Sequence, residues 1–102
     1  MHYRPVSNFP TSEKDLSFIF PEEINYSEIV KEIRKAGGDN LQAVSIFDVY
    51  QSVELTKERK KSASFHLIFQ SPAQTLENKE IEKILGDISE KIEKIFMAKL
   101  RD

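Results

Sequence analysis

The stretch Ile46-Phe47-Asp48-Val49-Tyr50 is a short run of strong strand-forming residues with one carboxylate among them, and the fold is built outward from it. Successive side chains of a strand point to opposite faces, so Phe47 and Val49 share one face and Asp48 and Tyr50 share the other. The first pair is apolar and predicts burial in a core. The second pair sets an acceptor beside an aromatic ring, which suits a flat, hydrogen-bonding ligand such as a nucleobase.

The flanking segments predict a β-α-β-β-α order. Alternating apolar residues predict strands over 15–20, 41–50 and 61–70, and helical spacing predicts helices over 27–35 and 78–96. Gly37-Gly38 is a typical helix stop, and Gly86 within the second helix predicts close packing. A polar, basic loop joins the second and third strands as a hairpin. Residues 97–101 suit either a short last strand or a frayed helix end.

This order predicts an α+β fold, the ferredoxin-like split β-α-β sandwich, with two helices on one face of an antiparallel sheet. We call the other side of the sheet the open face. Alternation assigns these residues to the open face: Ser17, Ile19, Val44, Ile46, Asp48, Tyr50, Ser62, Ser64, His66 and Ile68. Pro5 and Pro10 make residues 1–14 an irregular N-terminal arm, so the folded domain is expected over 15–102. The unusual opening predicts a piece of a longer chain.

Composition excludes several classes of site. The 102 residues contain no cysteine and only two histidines, His2 and His66, which excludes disulfides and a structural zinc site. No apolar run reaches the roughly 18 residues of a membrane helix and no signal peptide is visible, so we expect a cytoplasmic protein with no membrane contact. A net charge of −2 argues against a general binder of nucleic-acid backbones. Phosphate contact is expected at the basic run 57–61, with Arg59, Lys60 and Lys61 as the candidates.

No catalytic constellation is predicted. Ser64, His66 and Asp48 can be written as a catalytic set, yet nothing supplies an oxyanion hole or a substrate pocket. An acylphosphatase-like enzyme would share the strand order, but its phosphate-cradling loop corresponds here to the acidic Pro21-Glu22-Glu23.

Two other readings of the open face stay open. An aromatic ring among small polar residues suits the stacking and edge hydrogen bonding of unpaired bases. Alternatively, the chain is a ferredoxin-like protein-interaction or regulatory domain whose open face is covered by a partner. The apolar side chains expected there favour this alternative: Ile19, Val44, Ile46 and Ile68.

Several short motifs, in order, resemble the ferredoxin-fold anticodon-binding domain at the C-terminus of the bacterial phenylalanyl-tRNA synthetase beta subunit. They are Phe9-Pro10, Lys14-Asp15-Leu16-Ser17-Phe18, Phe47-Asp48-Val49-Tyr50, Lys61-Ser62, Thr75-Leu76 and Leu100-Arg101. The chain departs from the family pattern at three positions, because Lys14 replaces an arginine, Ser52 a glycine and Glu77 a threonine.

The resemblance implies a module that reads the anticodon loop of tRNA-Phe, whose first anticodon base is a guanine. It implies that Tyr50 stacks on or flanks this base and that Asp48 accepts hydrogen bonds from its edge or from an adjacent base. It also implies that Ser62, with Ser17 opposite, allows polar contact and close approach. The parent phenylalanine–tRNA ligase uses ATP and magnesium, and its catalytic machinery lies in the alpha subunit of an α2β2 tetramer. A single-chain organellar parent is the alternative. For this chain the resemblance implies no catalytic residue, cofactor or metal, and a monomer in isolation.

Overall fold

The computed structural model describes residues 11–71 and 76–101. Its elements are β1 (Ser12–Pro21), α1 (Tyr26–Gly37), a short 3-10 helix (Gly38–Asn40), β2 (Leu41–Tyr50), α2 (Val53–Lys57), β3 (Lys60–Phe69), α3 (Asn78–Phe96) and β4 (Lys99–Leu100). The four strands form one antiparallel sheet in the order β2-β3-β1-β4. This is the α+β, ferredoxin-like architecture that the sequence predicts, and the fold prediction is confirmed.

The core lies between α1, α3 and one face of the sheet. The register of β1 and β3 places Leu16 opposite Phe65 and Phe18 opposite Ala63, so the apolar residues of both strands face the helices together. Phe18 and Phe65 are fully buried, and their ring centroids lie 6.3 Å apart. The helices contribute branched aliphatic side chains at helical spacing, which are likewise fully or almost fully buried: Ile29, Ile33, Ile81, Ile88 and Ile92.

The ends of the two long helices set the path of the chain. At the start of α1, the backbone N–H of the N-cap residue Asn25 donates to the Glu28 carboxylate at 3.2 Å. Gly38, with φ of +73°, ends the helix in a conformation that residues with a Cβ seldom adopt. Met97 is left-handed after α3, with φ of +55°, and turns the chain back so that β4 pairs with β1. The last strand therefore forms.

Three details differ from the sequence prediction. A short helix, α2, replaces the hairpin loop, and the side chain of Ser52 caps it by accepting a hydrogen bond from the Leu55 N–H at 3.1 Å. Gly86 does not mark close packing, because a Cβ built there meets no atom within 4 Å. Strand β1 begins at Ser12, inside the predicted N-terminal arm.

Some predicted features lie outside the described residues. These are the greater part of the N-terminal arm and the motif residues Phe9, Pro10 and Thr75. Within the described part of the chain, no helix is both long and apolar enough to cross a membrane.

Candidate nucleic-acid interface

Two irregularities in β2 decide which side chains reach the open face. The register against β3 shifts between Leu41 and Ala43, and again between Ile46 and Asp48. Each β-bulge adds a residue to one strand only and so reverses the alternation of the side chains that follow. The stretch between the two bulges is consequently out of phase with the rest of the strand.

Because of this reversal, two residues predicted on the open face lie on the core side instead. Val44 pairs with Leu67 and Ile46 with Phe65, and both partners face the helices, so Val44 and Ile46 belong to the core side. Their predicted place on the open face is wrong. Two bulges cancel each other, however, so beyond the second one the simple alternation holds again. Asp48 pairs with Ser64 and Tyr50 with Ser62, both residues of the open face.

The second bulge also moves Phe47. It has no partner in the β2–β3 register, its side chain is 58% exposed, and its ring meets the imidazole of His66 edge-on at 6.3 Å between centroids. The prediction that Phe47 packs into the core is therefore wrong, since it lies beside a residue of the open face. The predicted burial of Val49 is also wrong: it lies on the core side opposite Ala63, but it is 55% exposed because β2 is an edge strand.

Asp48 and Tyr50 form the centre of the candidate site. Both are exposed, and the Tyr50 ring, at 46% exposure, presents a face to the surface of the sheet. The Asp48 carboxylate has no hydrogen bond or ion pair with any other residue that the structure describes. The site therefore combines an aromatic surface for stacking with an unused acceptor two residues away on the same strand.

Serine hydroxyls line the floor between β1 and β3. The Oγ atoms of Ser17 and Ser64 lie 2.6 Å apart, and these two residues are opposite each other in the register. Ser17 is therefore not opposite Ser62, as the sequence interpretation had it, because Ser62 pairs with Ile19. Ser62 is 1% exposed and lies beneath another side chain rather than at the surface.

That covering side chain is Arg101. Its backbone N–H donates to the Ser17 carbonyl at 2.7 Å, its Nη1 donates to the Ser62 hydroxyl at 3.3 Å, and its Cζ lies 4.8 Å from the centre of the Tyr50 ring. The sequence analysis used Leu100-Arg101 only as a motif and did not place Arg101 in the site. The sequence offered only its position after a possible last strand, and the path of the side chain across the sheet follows from the pairing of that strand with β1.

The three predicted phosphate-binding cations do not form one patch. Arg59 is exposed in the turn before β3, where its carbonyl accepts from the Glu22 N–H at 2.9 Å. Lys60 pairs with Pro21 in the register and lies 3.7 Å from the Glu58 carboxylate.

Lys61 points to the other side of the sheet. Its Nζ lies over the Tyr26 ring at 4.3 Å from the centroid and over Phe20 at 5.7 Å. Lys60 thus lies on the open side at the β2–β3 end of the sheet, Arg59 lies in the turn just before it, and Lys61 does not join them.

His66 lies in an acidic cluster farther along the open face. Its Nδ1 is 2.6 Å from the Asp15 carboxylate and its Nε2 is 2.7 Å from the Glu13 carboxylate. The hydrogen bond with Asp15, followed by that with Glu13, raises the pKa of His66 above its ordinary range. Because carboxylates occupy both ring nitrogens and Ser64 bonds to Ser17, the geometry does not assemble Ser64, His66 and Asp48 into a catalytic set. No potential metal-binding group of three or more His, Asp or Glu side chains occurs among residues 11–71 and 76–101.

The comparisons with known proteins agree with this fold. The sequence model of the ferredoxin-fold anticodon binding domain matches residues 7–101. Similar curated proteins include the phenylalanine–tRNA ligase beta subunits of Acinetobacter baylyi, 37% identical over 98% of this chain, and of Synechococcus, 34% identical over 99%. The subunit of Thermotoga maritima is 31% identical over 97% of the chain. The matched region is 12% of the length of each of these relatives.

The family match covers nearly the whole chain, and three of the quoted motifs, Lys14–Phe18, Phe47–Tyr50 and Lys61-Ser62, fall on strands β1, β2 and β3. The resemblance inferred from those motifs is confirmed: this chain belongs to the ferredoxin-fold anticodon-binding domain family, as found in the beta subunit of phenylalanine–tRNA ligases.

Proposed function

We propose that this chain reads the anticodon loop of tRNA-Phe on its open face, as a non-catalytic module of a phenylalanine–tRNA ligase beta subunit. The observation that carries the proposal is that the Tyr50 ring and the Asp48 carboxylate lie two residues apart on the same exposed face. The carboxylate has no hydrogen-bond or ion-pair partner among the described residues. Stacking on an aromatic side chain contributes about 1–3 kcal/mol per base, whichever base is bound. The ring therefore supplies affinity, and the neighbouring acceptor supplies selectivity.

The acceptor favours guanine on chemical grounds. The Watson–Crick edge of guanine carries two adjacent donors, the N1–H and the N2 amino group, and an ionised carboxylate accepts from both. Uracil and adenine offer a single donor group on that edge, and cytosine offers one amino group. A base stacked on Tyr50 with this edge toward Asp48 is thus selected as guanine, which the family resemblance implies at the first anticodon position.

The net negative charge of the chain limits its affinity for the RNA backbone. The chain carries a net charge of −2, and of the three proposed phosphate contacts Lys61 lies on the helix side of the sheet, which leaves Arg59 and Lys60 at the β2–β3 end. Binding to the RNA backbone contributes most of the affinity of general nucleic-acid binders. This module accordingly contributes discrimination between tRNAs more than tight binding.

The rest of the ligase supplies the chemistry in this proposal. ATP, magnesium and phenylalanine are handled elsewhere, with the alpha subunit of an α2β2 enzyme as the catalytic partner, in the cytoplasm. Placed in the whole ligase, Asp48→Asn is expected to raise the KM for tRNA and to leave ATP-dependent activation of phenylalanine unchanged. Loss of activation in that variant would show that the module acts in the chemical step.

The direct test is an NMR titration of the labelled chain with the anticodon stem-loop of tRNA-Phe. The matched control is the same stem-loop with adenine in place of the first anticodon guanine. We expect shifts centred on Ser17, Asp48, Tyr50 and Ser62, and weaker binding of the adenine stem-loop. Equal affinity for the two stem-loops, or shifts confined to the helices, would refute the proposal.

One observation favours a second function, docking of a protein partner along the edge strand. Four apolar side chains on or just after β2 are exposed: Ile46, Phe47, Val49 and Val53. The apolar surface available to a partner therefore lies along this edge strand, because Val44, one of the apolar residues predicted on the open face, is buried in the core. Sedimentation of the isolated chain tests this alternative for self-association: a dimer that Val49→Lys dissociates would support it, whereas a monomer at all concentrations would exclude it.

A further inference from the structure

Arg101 spans the open face from one edge of the sheet toward the other. Its backbone is fixed by a 2.7 Å hydrogen bond to Ser17 on β1, just after β4, the strand at the edge opposite β2. From there the side chain reaches Ser62 on β3 and Tyr50 on β2. The guanidinium therefore contacts the Tyr50 ring on β2 while the Arg101 backbone is held beside β1, two strands away.

The guanidinium occupies the place where a base would stack. Its Cζ is 4.8 Å from the centre of the Tyr50 ring, so a base on that ring face displaces it sideways. An exposed cation–π contact favours association by only about two- to fivefold. A stacked base raises the association constant by roughly 5- to 150-fold, so a base displaces the guanidinium from the ring. The backbone hydrogen bond to Ser17 does not involve the side chain and keeps Arg101 at the site after the guanidinium has moved.

A displaced guanidinium beside a stacked guanine meets acceptors. Guanine presents O6 and N7 on the edge next to the one that Asp48 would read, and the arginine fork bonds both in a bidentate pair. Adenine presents an amino donor at the corresponding position, which the donor-only guanidinium cannot accept. No ion pair joins Asp48 and Arg101 in the described part of the chain, so the carboxylate and the guanidinium do not neutralise each other.

We propose that Arg101 is a specificity-determining residue, which leaves the Tyr50 ring on binding and donates to O6 and N7 of the guanine stacked there. Asp48 and Arg101 then read two adjacent edges of one base. The inference rests on the proposed function and deepens it, because it adds a second and independent source of guanine selectivity. A bidentate pair of this kind discriminates against the wrong base by roughly 5- to 150-fold.

The test replaces single atoms of the base and single side chains of the protein. Three anticodon stem-loops carry guanine, 7-deazaguanine, which lacks the N7 acceptor, or hypoxanthine, which lacks the N2 amino group, at the first anticodon position. Each is titrated against the wild-type chain, Arg101→Gln and Asp48→Asn. We expect the wild-type chain to lose about tenfold with 7-deazaguanine, the effect of one hydrogen bond from a charged donor. Arg101→Gln should bind the guanine and 7-deazaguanine stem-loops equally well, while its affinity for the hypoxanthine stem-loop stays reduced. Asp48→Asn should bind the guanine and hypoxanthine stem-loops equally well, while its affinity for the 7-deazaguanine stem-loop stays reduced.

Arg101→Lys separates the fork from the charge. A lysine keeps the positive charge and can still donate to O6 and N7, but it lacks the rigid planar fork of arginine, so this variant should keep part of the 7-deazaguanine loss of affinity that Arg101→Gln abolishes. An undiminished 7-deazaguanine loss of affinity in Arg101→Gln overturns the inference. The proposed function survives that outcome as long as guanine is still preferred to adenine. A wild-type chain without that preference overturns both.

Discussion

Tyr50→Ala is the substitution that most directly separates binding from folding. Tyr50 is 46% exposed, so about half of an aromatic side chain, ~100 Å² of apolar contact, is lost on truncation. At about 25 cal/mol per Å² this costs at most ~2.5 kcal/mol of the free energy of unfolding. A domain of this size is stable by roughly 5–15 kcal/mol, so the variant remains folded. In binding, the loss of one stacked base is expected to cost ~1–3 kcal/mol, or about 5- to 150-fold in Kd.

Phe47→Ala is the matched control on the same strand. It removes an aromatic ring that is 58% exposed and contacts His66, not the Tyr50–Arg101 pair. We expect its Kd to stay within about twofold of the wild type, and Tyr50→Phe, which keeps the ring, to behave likewise. Fluorescence anisotropy of a labelled anticodon stem-loop at one fixed salt concentration measures all three variants. A folded Tyr50→Ala chain that binds as well as the wild type, or equal losses in both alanine variants, would refute stacking at Tyr50.

Three further predictions concern stability. The pKa of His66 is raised in the folded state, chiefly by Asp15, so its stabilising effect is complete below about pH 6.5 and lost as the pH rises through the higher folded-state value. Urea titrations should therefore show the advantage of the wild type over His66→Gln shrinking across that window, and an advantage independent of pH would contradict the ion-pair account. Gly37→Ala should lower the free energy of unfolding by ~1–3 kcal/mol, since its Cβ would overlap the side chain of Leu41. Gly86→Ala should raise it by ~0.5–1 kcal/mol, because the added methyl meets no atom within 4 Å and alanine favours the helix; thermal melts of the two variants should shift in opposite directions.

Hydrophobic periodicity was sufficient to predict the fold. The predicted bounds of the second strand and of the long second helix coincide with Leu41–Tyr50 and Asn78–Phe96 in the structure. The helix carries one sustained period close to 3.6, whereas the strand is recognised as a run of strand-forming residues after the Gly37-Gly38 stop. The last strand has only two residues and no period to detect, so the sequence left it undecided between strand and frayed helix.

The details of the site were harder to predict, for a physical reason. A bulge needs no glycine or proline and leaves no mark in the sequence of β2, so strict alternation misassigned Val44, Ile46 and Phe47. Asp48 and Tyr50 were placed on the correct face because two successive reversals restore the original phase. Had only one bulge formed, Tyr50 would lie on the core side of the sheet and the same reasoning would have misplaced it.

Arg101 escaped prediction because its role depends on contacts across three strands. A residue near the end of the chain is informative only once β4 is known to pair with β1, which directs the side chain toward Ser62 and Tyr50. No local pattern encodes that path. By contrast, the short helix α2 was detectable, since Ser52 followed by Val53-Glu54-Leu55 is a helix-start sequence, but five residues are too few for a helical period.

The charges on the open face explain how such a small acidic domain could read a nucleic acid at all. Among the described residues, Glu13, Asp15 and Asp48 place carboxylates along the face, with Arg101 at its centre and Lys60 at its end. Such a surface repels a sugar–phosphate backbone laid flat across it, so an RNA that approaches productively presents bases rather than phosphates. An unpaired base can then reach the Tyr50 ring while its backbone stays outside, near Arg59 and Lys60 at the end of the sheet. On the proposed function, the negative charge of the face is thus part of the selectivity, because it disfavours every RNA that cannot turn a base inward.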